Sequence, residues 1–96
     1  MPFSNLSSYP YSQSSIQSNA PRQSGVYGLF SPGKWIYVGE SGDIQERVMQ
    51  HLNGDNPCIT RQSPVSFTFE LVSAANRVGR QNALIQEFAP VCNKAG

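Results

Sequence analysis

The sequence predicts an α+β fold, a small three-stranded antiparallel β-sheet flanked by helices, and three observations carry that expectation. Two short segments rich in β-branched and aromatic residues, Val26–Phe30 and Trp35–Gly39, stand on either side of Ser31-Pro32-Gly33-Lys34, which is turn chemistry. A third such segment, Val65–Val72, alternates apolar and polar residues between Pro64 and Ser73. Apolar residues recur at helical spacing in two further stretches, as Ile44, Val48 and Leu52 and as Ala74, Val78, Ile85 and Phe88. With 96 residues the chain has material for one core only, because chains below about 40 residues rarely bury enough surface to fold alone.

Residues 1–24 read differently from the rest. They hold eight serines, three prolines and three glutamines but one charge, Arg22. Their apolar residues (Phe3, Leu6, Tyr9, Tyr11, Ile16) keep no sustained period, so the segment is expected to be a flexible or loosely docked leader, since it could not offset its ordering entropy unaided, with a strand or helix packed on the domain as the alternative. The domain proper is expected over residues 25–96, where six basic and six acidic residues balance.

Within that domain the first two strands form a hairpin. A three-residue Ser31-Pro32-Gly33 loop, with Gly33 left-handed in a bulge, is expected, pairing Tyr27 with Tyr37 and putting both phenols on one face, where a two-residue Pro32-Gly33 loop would pair Tyr27 with Val38 and send them to opposite faces. Asp43 is a helix N-cap candidate and Asn53-Gly54 a stop, which gives a helix over 44–53. Asp55–Pro64, with two prolines, reads as loop. Ser73 is the N-cap candidate for a last helix over about Ala74–Phe88, which Pro90 terminates. In its core-facing stripe Ala74, Val78, Ile85 and Phe88, the missing position is Gln81, so a polar amide sits in an apolar seam.

Charge and cysteine content exclude several classes. A formal charge of +1 leaves no block of like charge to mark a nucleic-acid tail or an anionic membrane surface. No apolar run approaches the roughly 18 residues of a membrane span, and no basic segment followed by an apolar stretch marks an export signal. Cys58 and Cys92 have neither CxxC spacing nor a disulfide-dense setting, which suits a reduced, cytoplasmic protein, although one bridge is open to them. Neither has a visible thiolate-lowering neighbour, and no catalytic role is assigned to them.

Two tripeptides, Gly25-Val26-Tyr27 and Tyr37-Val38-Gly39, with their tyrosines ten positions apart, resemble the paired motif of the GIY-YIG nucleases. The following helix carries Arg47 and His51 where that family places a phosphate-handling arginine and often a histidine, and Pro90-Val91-Cys92-Asn93 resembles its P-x-x-N ending. The resemblance covers residues 25–93. It implies metal-dependent hydrolysis of DNA phosphodiesters, with Tyr27 as general base, its pKa lowered by a metal and basic neighbours, and Tyr37 orienting water or phosphate. Arg47 and His51, at i and i+4, would face one phosphate, Gly39 would leave room for substrate backbone, and Asn93 would bind substrate.

One position departs from the family. Its metal-binding glutamate, counted back from Leu84-Ile85, falls on Gln81, which offers a neutral carbonyl oxygen where Mg²⁺ or Mn²⁺ prefers a charged one. Metal binding is therefore expected to be weak or absent, and catalysis impaired. Glu40 follows the second tripeptide where some relatives carry a cation. Arg61, Arg77, Arg80, Lys34 and Lys94 would track a nucleic-acid backbone if they converged on the site. The alternative is a non-catalytic nucleic-acid-binding module on the same scaffold; an interaction domain with no nucleic-acid partner is the third possibility.

Overall fold

The computed structural model describes residues 3–5 and 7–93. Leu6 and Lys94, named above, lie outside the described residues. The sheet has four strands, not three, in the order β1-β4-β2-β3: β1 (Tyr9–Pro10), β2 (Gly25–Ser31), β3 (Lys34–Ser41) and β4 (Ser66–Leu71). All pairings are antiparallel, and β2 lies between β3 and β4.

The extra strand comes from the segment expected to be a flexible leader, and that expectation is corrected. Tyr9 and Pro10 pair with Phe67 and Ser66, and the Tyr9 ring stacks on Phe69 at 5.7 Å. Pro10, which has no N–H to donate, is tolerated there because β1 is an edge strand. Helix α1 (Gln13–Asn19) follows, capped by Ser12, and buries Ile16 completely. Its end is fastened to the next helix by Gln45, whose side-chain amide donates to the carbonyls of Gln17 and Ala20 at 3.2 and 3.0 Å. Phe3, Ile16 and Ala20 all belong to the core.

The hairpin solves its register differently from the expectation. Ser31 pairs with Lys34, so the loop is the two-residue Pro32-Gly33, with Gly33 at φ 74°. Phe30 pairs with Trp35 but Leu29 with Tyr37, so Ile36 is the extra residue of a β-bulge, and Tyr27 pairs with Gly39. Proline's fixed φ excludes the primed turns that fit strand twist best, and the bulge beside the turn resets the register. The two phenols thus share a face as expected, by a different route, with ring centroids 6.3 Å apart.

The two faces of the sheet carry separate clusters. On one, Tyr27, Leu29 and Phe67 pack with Ile16, with Ile44 and Val48 of helix α2 (Ile44–Leu52), and with Ile59 of helix α3 (Pro57–Gln62). On the other, Val26 and Val38 pack with Phe3 and with Leu84 of helix α4 (Arg77–Phe88). Helix α3 replaces the predicted loop. Asn56 caps it through Cys58 and Ile59 N–H groups, and Pro57 occupies the first turn, where proline starts a helix instead of breaking one.

Helix α4 begins later than predicted. Ala74–Asn76 form a 3₁₀ turn, and Ser73 makes no side-chain cap. The inward stripe is also displaced: Leu84 is buried and Gln81, Ile85 and Phe88 are half-buried, while Val78 is 56% exposed and Ala74 is exposed. Cys58 and Cys92 form a disulfide, which corrects the reading of both as reduced. It ties α3 to the last 3₁₀ turn (Val91–Asn93), and a cross-link of such span typically contributes about 2–4 kcal/mol by restricting the unfolded chain. Among the described residues no helix is long and apolar enough to cross a membrane.

Candidate active site

Strands β2 and β3 and helix α2 bring four of the predicted residues together. Tyr27 and His51 are each 1% exposed, and the Tyr27 hydroxyl lies 2.7 Å from His51 Nε2. The Tyr37 ring meets the imidazole edge-on with centroids 5.1 Å apart. Arg47, one turn before His51 and on the solvent side, donates through Nη1 to Gln50 Oε1 at 2.7 Å and to Asp55 Oδ2. Asp55 Oδ1 also lies 2.9 Å from His51 Nδ1.

Asp55 was missed by sequence reading because it falls in a stretch read as loop. The signal that could have found it is spacing: His51 and Asp55 are i and i+4, and the chain past the helix end brings the carboxylate back over Arg47. A second omission is Tyr11, whose buried hydroxyl has no hydrogen-bond partner among the described residues. Its pKa is raised, by burial first and then by the charge of Asp55.

Electrostatics fix the protonation states at neutral pH. Burial, reinforced by Tyr37, pushes the Tyr27 phenol above its ordinary range, with Arg47 opposing. This is opposite to the lowering implied by the resemblance, and Tyr27 ionises only if a neighbour takes its proton. Burial holds His51 below its ordinary 6.5, so the ring is neutral. For Asp55, burial raises the pKa, but the Arg47 hydrogen bond and the His51 and Arg47 charges outweigh it and leave the carboxyl below its ordinary 3.8.

These shifts set the acid stability. A buried histidine whose folded pKa is depressed costs nothing above pH 6.5, then loses stability as pH falls below it, because the unfolded chain binds the proton first. Asp55 contributes stability above about pH 4 that disappears as pH falls through its lower folded value, as does Glu70, which Arg80 holds down against burial. The denaturant midpoint measured against pH should therefore decline in two stages. Because the chain has one histidine, His51→Gln should abolish the first stage alone. A flat midpoint between pH 7 and pH 5 would contradict the assignment.

Gly39 and Asn93 are both engaged within the fold. A Cβ on Gly39 would lie 2.3 Å from the Tyr27 hydroxyl, so the glycine makes room for that phenol. Both ends of the Asn93 carboxamide are engaged by the backbone of Val38: Oδ1 accepts from its N–H at 2.7 Å and Nδ2 donates to its carbonyl at 2.9 Å. Asn93 thus pairs with the open edge of β3 and holds the strand that bears Tyr37.

Gln81 is not joined to this group by any hydrogen bond, and its amide has no partner among the described residues. Helix α4 packs on the opposite sheet face, but one turn before Gln81 the Arg77 Nε donates to Glu40 Oε1 at 2.7 Å, just past Gly39. Gln81 therefore lies on the helix face that runs along the end of β3. The carboxylates nearby are engaged: Glu40 by Arg77, Glu70 by Arg80, Asp55 by Arg47. Among the described residues no group of three or more His, Cys, Asp or Glu could hold a metal ion. The residues present do not fit a divalent cation. Of the other basic residues, Arg77 pairs with Glu40, Arg80 pairs with Glu70, and Lys34 donates to Gln62 at 2.8 Å.

Comparison with known proteins follows the same outline. Residues 23–87 match the model of the GIY-YIG catalytic domain. Among solved structures, the N-terminal GIY-YIG endonuclease domain of UvrC from Thermotoga maritima, bound to magnesium as its catalytic divalent cation, is 22% identical, with a TM-score of 0.72 over 82% of this chain and 96% of that one. A tyrosine-to-phenylalanine point mutant of that domain, also cation-bound, matches with TM-score 0.72 and 22% identity over 83% of this chain and 96% of its own. These likenesses establish the fold. No curated protein sequence matches the chain.

Proposed function

Because the chain belongs to the GIY-YIG catalytic domain family, we propose that it is a nuclease-type domain for DNA phosphodiester bonds, with its proton- and phosphate-handling groups in place and its metal-binding carboxylate replaced. The observation that carries this reading is the hydrogen-bonded chain from Tyr27 through His51 to Asp55, with Arg47 on the same carboxylate. A buried tyrosine bonded to a neutral imidazole can take a proton from water while passing its own to Nε2. Arg47 stands at the exposed end of the group, where its fork can bind phosphate oxygens and offset the charge that builds on them during attack.

Gln81 limits this chemistry. In the relatives described above a divalent cation serves the active site, whereas here the corresponding carboxamide brings no charge, so Mg²⁺ or Mn²⁺ binding is weak or absent and hydrolysis is impaired. The same residue favours a second reading, a module that binds nucleic acid without cutting it. Labelled single- and double-stranded oligonucleotides test the common ground. Both readings expect retention at low salt that falls steeply as salt rises. Failure to retain any DNA or RNA would overturn both.

A further inference from the structure

The tautomer of His51 follows from its two partners. Asp55 is ionised at neutral pH and can only accept, so Nδ1 carries the proton that points at Oδ1, 2.9 Å away. Nε2 is left with a lone pair, and the Tyr27 hydroxyl 2.7 Å from it must donate. The imidazole is fully buried, so water does not compete for either nitrogen. Among the described residues, the titratable and charged groups about this ring are Tyr27 from β2, Tyr37 from β3, Arg47 from α2 and Asp55 beyond α2, with Tyr11 of the N-terminal segment near enough to feel the Asp55 charge.

We propose that Asp55 is a positioning residue that holds His51 in the Nδ1–H tautomer, so that Nε2 is the acceptor for the Tyr27 proton, and that its other oxygen holds Arg47 over the same phenol. The inference rests on the nuclease reading for its kinetic consequence but not for the tautomer itself. In the step it serves, a water proton goes to the Tyr27 oxygen, the Tyr27 proton goes to Nε2, and the resulting imidazolium faces the Asp55 carboxylate. The hydroxide oxygen bonds to phosphorus, the P–O bond to the leaving oxygen breaks, and solvent protonates that oxygen. His51 then returns its proton to solvent by way of Tyr27. Reversing the tautomer would turn Nε2 into a donor and close the route at its first transfer.

The test is ¹⁵N NMR of the His51 ring in the full chain, beside cleavage kinetics in a Gln81→Glu background. The chain should show a protonated Nδ1 and a bare Nε2. Asp55→Asn, whose carboxamide can donate to Nδ1, should move the proton to Nε2, while Asp55→Glu, which keeps an acceptor, should leave it on Nδ1 and show that the effect is not unfolding. Kinetically, Asp55→Asn should lower kcat by about 10²-fold or more, the range of a lost proton-transfer group, with KM changed far less, and should shift the pH profile of kcat. An unprotonated Nδ1 in the chain, or the same tautomer in Asp55→Asn, would overturn the proposal. So would an inverted tautomer with kcat and pH profile unmoved. If the Gln81→Glu background does not cleave at all, the nuclease reading fails and the NMR result alone decides whether Asp55 sets the tautomer.

Discussion

Arg47→Ala, placed in a Gln81→Glu background, should lower DNA cleavage by about 10²-fold or more, the usual cost of removing one electrostatic stabiliser of the transition state. The helix that carries Arg47 does not need it for packing, because Ile44 and Val48 form its buried stripe and the Arg47 side chain is 38% exposed. Its pair with Asp55, also at the surface, is worth at most about 1 kcal/mol by the usual measure of such pairs. The melting temperature should therefore move little. A large drop in melting temperature with unchanged cleavage per folded molecule would show that Arg47 is structural. The loss should also exceed that of Gln50→Ala, which removes only the second acceptor of the same guanidinium nitrogen.

Gly39→Ala should damage both fold and site. The added Cβ would meet the Tyr27 hydroxyl at 2.3 Å and Cζ at 2.5 Å, and the Tyr37 ring at 2.9 Å. Tyr27 cannot move aside cheaply, since it is 1% exposed and packed in the core. Overpacking of this kind costs typically about 1–3 kcal/mol. Any relief comes from pushing the phenol off His51 Nε2, and a misplacement on the order of 1 Å can itself cost about 10²-fold in rate. Thermal melting and the Tyr27 to His51 contact, read from the shifted tyrosine and imidazole resonances, check this together. Full stability with an unshifted imidazole would refute the packing account.

Much of this was legible in the sequence where local rules decide. Asp43 capping the helix with Ile44 and Val48 inward is as read, because cap and period agree within one segment. The common face of Tyr27 and Tyr37 was also legible, although the turn that produces it was not. A Pro-Gly loop fits two lengths, and only the bulge at Ile36, a product of pairing with β2, chooses. Pro57 was misread because proline breaks a helix interior but opens a helix behind a cap such as Asn56. The ordering of Tyr9 to Asn19 depends on partners far away in sequence, Phe67, Ser66 and Gln45, and no period within the segment announces it.

The site shows the same division. Arg47 and His51 stand one turn apart as helix spacing requires, but His51 is buried with its ring nitrogens on Tyr27 and Asp55 where both side chains were expected to face a phosphate, and Asp55 joins them only after the chain turns past Leu52. Gly39 was read as space for a substrate because the partner that fills the space, Tyr27, is set by register. The bond between Cys58 and Cys92, 34 residues apart, leaves no local trace either.

On the proposed reading this scaffold keeps its proton- and phosphate-handling groups and lacks the charge at position 81. The decisive experiment is plasmid nicking in a Mn²⁺ series, with an EDTA control, by this chain and by Gln81→Glu. The chain should nick little or not at all at any Mn²⁺ concentration. Gln81→Glu should show metal-dependent nicking, accompanied by a rise in melting temperature with Mn²⁺ that the chain lacks, because a ligand that binds only the folded state stabilises it. A Gln81→Glu protein that folds, yet neither gains stability from Mn²⁺ nor nicks DNA, would contradict that reading.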